Sequence, residues 1–352
     1  MVSPAGRTFE NCRVPLEGSW KVELGGCQVR VTEVFWSYWR LAAERQAIFF
    51  RRVSGEAGPW TEDPVLGRYR FTNAYRASDR VSQYLLHHVI YDQERDALDT
   101  ILRILLFKIF NRVGTWEYLV DRVGQPTAVG FSAEGYAKAL DDLFDHDRRV
   151  YSAAYIMPNP RLGEDRKHRN HLSLVEMLLQ NGVLADLEKA RSLRTLYEQL
   201  CEVPSFGPFL AFQYAIDLNY SPHFDFDEME FVVAGPGALR GIGKCFEDTG
   251  GLDAAGVIAA MAVSATGFFE TTQMPTPFQD LWGRSLQLVD CQNLFCEVDK
   301  YARVAHPEHS VAGPGRIKQV YRVDHRPLTL GYPPKWGLPL SAQAPSCFGA
   351  SD

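Results

Sequence analysis

From residue 31 to residue 53 the apolar positions recur every three or four residues. Phe35, Tyr38, Trp39, Ala42, Ile48 and Phe49 fall near one face, and the spacing predicts a helix that Gly55 to Pro59 ends. Residues 60–72, with Pro64 and Gly67, predict a loop. The same period predicts helices over 73–91, 95–112, 132–146, 171–181, 184–201, 208–217, 253–267 and 284–303. Loops at 158–166 and 218–224 carry Pro, Asn and Gly. Strand-like alternation is confined to Lys318 to Val323 and a weak pattern before residue 30. The expectation is an all-α fold with few short strands. Residues 1–30 are an irregular segment or a short strand pair, 31–305 one helical catalytic domain with two lobes, and 306–352 a Pro/Gly-rich tail.

Composition narrows the class. Apolar residues make up 46% of the chain, enough for a large core. The seven cysteines form no CxxC pair and their number is odd, which speaks against a disulfide framework or a structural zinc and for a reducing compartment. Met1 to Arg13 has no apolar run, so no secretory signal is expected. The most apolar stretch, Ala254 to Phe269, is about one turn short of a membrane span and reads as a core helix, so no membrane partner is expected. Net charge is −6, whereas a non-specific DNA coat is basic. Any nucleic-acid contact therefore requires a local basic groove.

Several chemistries lack their motifs. The string from Gly235 to Cys245 has the wrong spacing for a phosphate-binding P-loop. GxSxG, HExxH and a GxGxxG in a βαβ setting are absent. Pro204-Ser205-Phe206-Gly207-Pro208-Phe209 joins two expected helices. Pro208 suits a first helical position, and Phe206 and Gly207 then offer amides to a phosphate, or simply make a tight connection. Asp225 follows Gly207 at a spacing similar to that of the catalytic Asp in helix–hairpin–helix DNA glycosylases. Asp225, Asp227 and Glu228 are the candidate catalytic carboxylates: together they raise one pKa or invite Mg2+, the one cofactor considered. The alternative is that Asp225 or Asp227 caps a helix over Met229 to Val233.

Three further strings carry polar chemistry. In the Arg68 to Tyr84 run, Arg76 and Arg80 are four apart, and on one helical face they join Asn73 and Gln83. With Arg70 they suit phosphates, and Asn or Gln suits a base edge; the other reading is a solvated face. On the expected last helix Asp290, Asn293, Glu297 and Lys300, with Tyr301 nearby, form a polar stripe, either solvated or the wall of a pocket. Lys167 and His168 begin a third cluster, in which His168 and His171 have no third zinc ligand nearby.

Taken in order, PWTEDP, RYRFTNAYRASDRVSQYL, KHRNHL, PSFGPFLAFQYAIDL, FDFDEMEFVVAGPGALRGIGKCF and DCQNLFCEVDKYAR resemble the α-glutamyl/putrescinyl-thymine pyrophosphorylases and related amino acid:DNA transferases of bacteriophages. The same helical module is fused to a P-loop in 5-hydroxymethyluracil DNA kinases. The resemblance covers about Phe35 to Arg303 and lacks the P-loop, which points to the stand-alone transferase branch. It implies a helix–hairpin–helix glycosylase-like fold in the cytoplasm of an infected bacterium. The substrate it implies is double-stranded or locally opened DNA whose thymine 5-methyl carbon carries a pyrophosphate ester, attacked by an amino acid or polyamine. Arg70, Arg76, Arg80, Lys167 and Arg240 are the candidate partners of the pyrophosphate, and a carboxylate accepts the amine's proton. A DNA glycosylase-like hydrolase and a non-catalytic module that binds modified DNA are the competing expectations.

Overall fold

A computed structural model of the chain describes residues 20–271, 274–309, 317–323 and 328–339. The expected irregular segment lies outside them up to residue 19, as does much of the tail. A hairpin of β1 (Trp20–Leu24) and β2 (Cys27–Val31) leads into α1 (Glu33–Val53) and α2 (Pro64–Arg68). There follow α3 (Arg80–Leu85), α4 (Ala97–Phe110), α5 (Val113–Val123), α6 (Ala133–Asp145), α7 (Lys167–Gln180), α8 (Val183–Glu188), α9 (Leu193–Cys201) and α10 (Pro208–Asn219). The chain continues through α11 (Pro236–Cys245), β3 (Phe246–Asp248), α12 (Ala254–Thr271) and α13 (Leu288–Ala305). The fold is mostly α, as the periodicity predicts, and β1–β2–β3 form one small antiparallel sheet.

The chain divides into two compact units. One takes the residues up to Arg76 together with Ala234–Leu328; the other takes Ala77–Val233 and the residues from Thr329 on. In the first unit, Thr32 starts α1 by accepting the amide of Val34 at 3.2 Å, with Glu33 in the first turn. The core face of α1 buries Phe35, Tyr38, Trp39 and Phe49. Trp39 stacks on Phe268 of α12 at 5.0 Å. α11 lies so close to α13 that a Cβ on Gly241 would meet the carbonyl oxygen of Phe295 at 2.1 Å. In the second unit α4 is buried nearly all round and stops at Asn111, which takes the left-handed conformation (φ 47°).

Four expectations are corrected. The helix expected over 73–91 does not form as one piece: a 3-10 turn at Arg76–Ser78 precedes α3, and a π turn at Leu86–Ile90 follows it. The amides of Thr72 and Arg76 go instead to carboxylates on α13. The helix expected over 184–201 is two, because Ser192 accepts the amide of Thr195 at 3.0 Å and starts α9 afresh. No helix covers Met229 to Val233; Asp227 Oδ1 accepts the amide of Met229 at 2.8 Å in a turn. The alternation over Lys318 to Val323 makes no strand. Val320 forms a single bridge with Tyr69 in place of a strand, and residues 328–339 divide between the two units.

Candidate functional site

The first unit gathers two of the strings. The loop from Arg68 to Arg76 lies along α13 and is held there by its backbone. Glu297 Oε2 accepts the amide of Thr72 at 2.9 Å, and Asp290 Oδ1 accepts that of Arg76 at 2.7 Å. Arg45 of α1 donates to the carbonyl of Thr72 at 2.8 Å and to Asn73 Oδ1 at 2.7 Å. Lys300 pairs with Glu297 at 2.6 Å and lies over the ring of Phe71 at 4.5 Å. Tyr301 donates to Asp63 Oδ2 at 2.7 Å. The polar stripe of α13 is thus neither solvated nor an open wall, since Asp290, Asn293 and Glu297 are all buried.

Asp290 does two jobs. It closes the capping box with Gln287 and fixes the loop at Arg76. Burial raises its carboxyl above the usual range, against the two amides that favour its charge. What the loop leaves outward is Arg68 and Arg70, both exposed. The amide of Arg70 donates to the carbonyl of Gln319 at 3.0 Å, so its backbone is fixed from a second side.

Arg76, by contrast, is 2% exposed, and it shares no helical face with Arg80, which begins α3 as an exposed residue. Gln83 is buried: its amide donates to the carbonyls of Ala77 and Gly331 and accepts from the Gly331 amide, so it is spent on protein backbone and not on a base edge. Asn73 is half-buried and engaged by Arg45. Arg240 pairs with Asp299 at 3.1 Å while keeping 57% of its side chain exposed. Against the cost of burial, Arg303 and Lys244 hold the Asp299 carboxyl below its usual range.

In the second unit KHRNHL folds its own loop. Asp141 of α6 receives Arg166 at 2.9 Å, His168 at 2.8 Å and Arg169. Against desolvation, the hydrogen bonds from Arg169 and His168 bring it to about 2. Lys167 lies over the ring of Tyr151 at 4.6 Å, and burial lowers its pKa. His171 sits between Tyr151 Oη at 2.8 Å and the Pro158 carbonyl at 2.7 Å. His168 and His171 therefore serve different partners and share no metal position. The hairpin amide of Phe206 donates to the Val203 carbonyl at 3.0 Å, so it is not aimed at a ligand, and the ring packs against Tyr214. Gly207 is exposed and caps α10.

The candidate carboxylates lie at the other end of that helix. Asn219, the last residue of α10, accepts the amide of Phe226 at 2.9 Å and donates to its carbonyl at 3.0 Å. Twelve helical residues separate this point from Gly207, about 18 Å at the usual rise. Asp225 and Asp227 are exposed, whereas Glu228 is buried. Hairpin and carboxylates thus do not converge, which removes the ground for a glycosylase-like hydrolase. Among the described residues, the group whose ligand atoms converge as a metal site would need is Glu33, His306 and Glu308, not these three. The carboxylates therefore do not fit Mg2+, and no step is drawn through it.

Sequence reasoning missed Lys108 and Asp217. Both are buried and pair at 3.0 Å, with Lys108 also donating to Asn111 Oδ1 at 3.2 Å and facing the ring of Tyr155. The available signal was a lysine inside the apolar run from Ile101 to Phe110.

Residues 32–311 match the family described as 5-hmdU DNA kinase, helical domain. The chain belongs to this family. The matched stretch starts at the cap of α1 and ends beyond α13, so it includes every candidate residue above. A 5-hmdU DNA kinase of Bacillus phage SP10 is 26% identical over 280 residues, an alignment covering 73% of this chain and 43% of the relative. The chain thus spans less than half of that relative's length. No solved structure matches significantly. Among the described residues no helix is long and apolar enough to cross a membrane.

Proposed function

We propose that the protein acts on phage DNA in the cytoplasm of the infected bacterium, at thymine whose 5-methyl carbon carries a pyrophosphate ester, and exchanges the pyrophosphate for an amine. The nitrogen lone pair of an amino acid or polyamine forms the new C–N bond. The C–O bond breaks, and pyrophosphate leaves with its electron pair. The ammonium proton passes to a carboxylate as the C–N bond forms. The base must leave the duplex stack to expose its methyl carbon.

The observation that carries this reading is the Arg68 to Arg76 loop. Its amides are clamped by Glu297 and Asp290, and exposed Arg68 and Arg70 are offered from a fixed backbone. A fixed backbone lowers the cost of ordering two guanidinium groups around an anionic leaving group. Membership of the helical-domain family supports a modified thymine as the target. Exposure of both aspartates favours a second reading, recognition of modified DNA without catalysis. Incubation with an oligonucleotide bearing 5-pyrophosphoryloxymethyluracil and a mixture of amines separates them: an amine-substituted nucleoside in the digest supports transfer, and tight binding without conversion supports recognition.

A further inference from the structure

The end of α10 carries a built ammonium site. The bidentate pair between Asn219 and Phe226 closes residues 219–226 into a ring of backbone. Three of its carbonyls, those of Asn219, Ser221 and Phe224, accept from one group, the Lys335 ammonium, the Ser221 contact measuring 3.3 Å. An ammonium has three N–H donors, so the number of acceptors suits it. The C-terminal partial charge of α10 adds to the attraction. Asp225 Oδ1 lies 3.9 Å from the same nitrogen, with 85% of its side chain exposed. Asn219, Ser221 and Phe224 are buried, and the Ser221 hydroxyl has no partner.

The occupant arrives on a strap. Gly331 exchanges hydrogen bonds with Gln83, and a Cβ there would meet the His87 ring at 2.5 Å. Tyr332 bonds Ser78 at 2.7 Å, and Trp336 packs its ring against Tyr220 and Tyr332. The ring lies inside the stretch that matches the family, and Lys335 lies outside it.

We propose that the carbonyl ring of residues 219–226 is the site for the primary ammonium of the amine co-substrate, that Lys335 is its resident occupant, and that the incoming amine displaces it. The identity of the displacing amine rests on the transfer reading above. A primary alkylammonium with an unbranched stem fits the place that the lysine side chain takes, and Asp225 stands at hand for its proton.

The test is chemical rescue of Lys335→Ala by n-butylammonium and putrescine at millimolar concentration. Rescue is a rise of about 2–4 °C in melting temperature, the size expected for a 1 kcal/mol gain. It should be absent with tetramethylammonium, which has no N–H, and absent in Lys335→Met, whose own stem fills the site. No rescue, or equal rescue by tetramethylammonium, overturns the proposal. Should the alanine variant fail to fold, the 15N signal of the Lys335 ammonium in the wild-type protein decides: loss on titration with putrescine supports displacement, and persistence at saturation overturns it. Rescue without any transfer to pyrophosphorylated DNA would keep the amine site and sink the transferase reading. Transfer whose KM for amine is unchanged in both Lys335→Ala and Asp225→Asn would keep the reading and sink the site.

Discussion

Glu297 Oε2 accepts the amide of Thr72 at 2.9 Å across 225 positions of the chain. With Asp290 on Arg76 it makes α13 the rail on which the arginine-bearing loop is mounted. Glu297→Ala leaves the Thr72 amide without its acceptor, a loss of about 1–3 kcal/mol in stability. Hydrogen exchange should speed up across residues 68–76 in that variant, and Glu297→Gln, which keeps an acceptor, should restore most of the protection. Unchanged exchange in the alanine variant would show that the clamp does not hold the loop.

Arg70 and Arg76 should separate cleanly. Arg70→Ala should weaken binding of pyrophosphorylated DNA by about 1.5–3 kcal/mol, lower the salt slope by about 1, and leave the melting temperature alone, because the side chain is exposed. Arg76→Ala should lower the melting temperature, because Arg76 is buried. Titrations at several salt concentrations, with thermal melts alongside, check both. The reverse pattern would return Arg76 to the interface.

This division marks how far the sequence could be read. The period-3.6 pattern located α1, α4, α6, α7, α10, α12 and α13 to within a few residues, since in each the apolar residues recur at helical spacing. It could not show that the amides of Thr72 and Arg76 are taken by α13, because such a bond couples distant positions and leaves no local period. α11 was hidden by Gly237, Gly241 and Gly243, which read as turn residues. Gly241 is there because α13 comes too close for a side chain. The polar strings were legible as important residue types; that Gln83, Asn73 and His168 spend their polar atoms on the protein itself was not.

Gly241→Ala drives a methyl into the Phe295 carbonyl. Backbone on both sides leaves little to yield, so the cost should reach about 3 kcal/mol, the upper end for overpacking. Denaturant unfolding measures it. A loss below about 0.5 kcal/mol would mean that α11 and α13 part easily.

His171 gives a pH signature. Burial lowers its pKa to about 4 from the usual 6.5, and Nε2–H donates to Pro158 while Nδ1 accepts from Tyr151. Between pH 6.5 and about 4 the unfolded chain therefore binds the extra proton, and stability is lost as pH falls through that window. The shift is worth up to about 3 kcal/mol. His171→Gln keeps hydrogen-bonding capacity without the titration, so its melting temperature should fall less than the wild type's over the same range. Parallel curves would assign the acid sensitivity elsewhere.

The most direct measurement of the central claim is pyrophosphate release from DNA bearing 5-pyrophosphoryloxymethyluracil, followed with and without amine. The account predicts release only when amine is present, one pyrophosphate for each C–N bond found in the digested nucleosides. Release with water alone, leaving 5-hydroxymethyluracil, or no release under any condition, would contradict it.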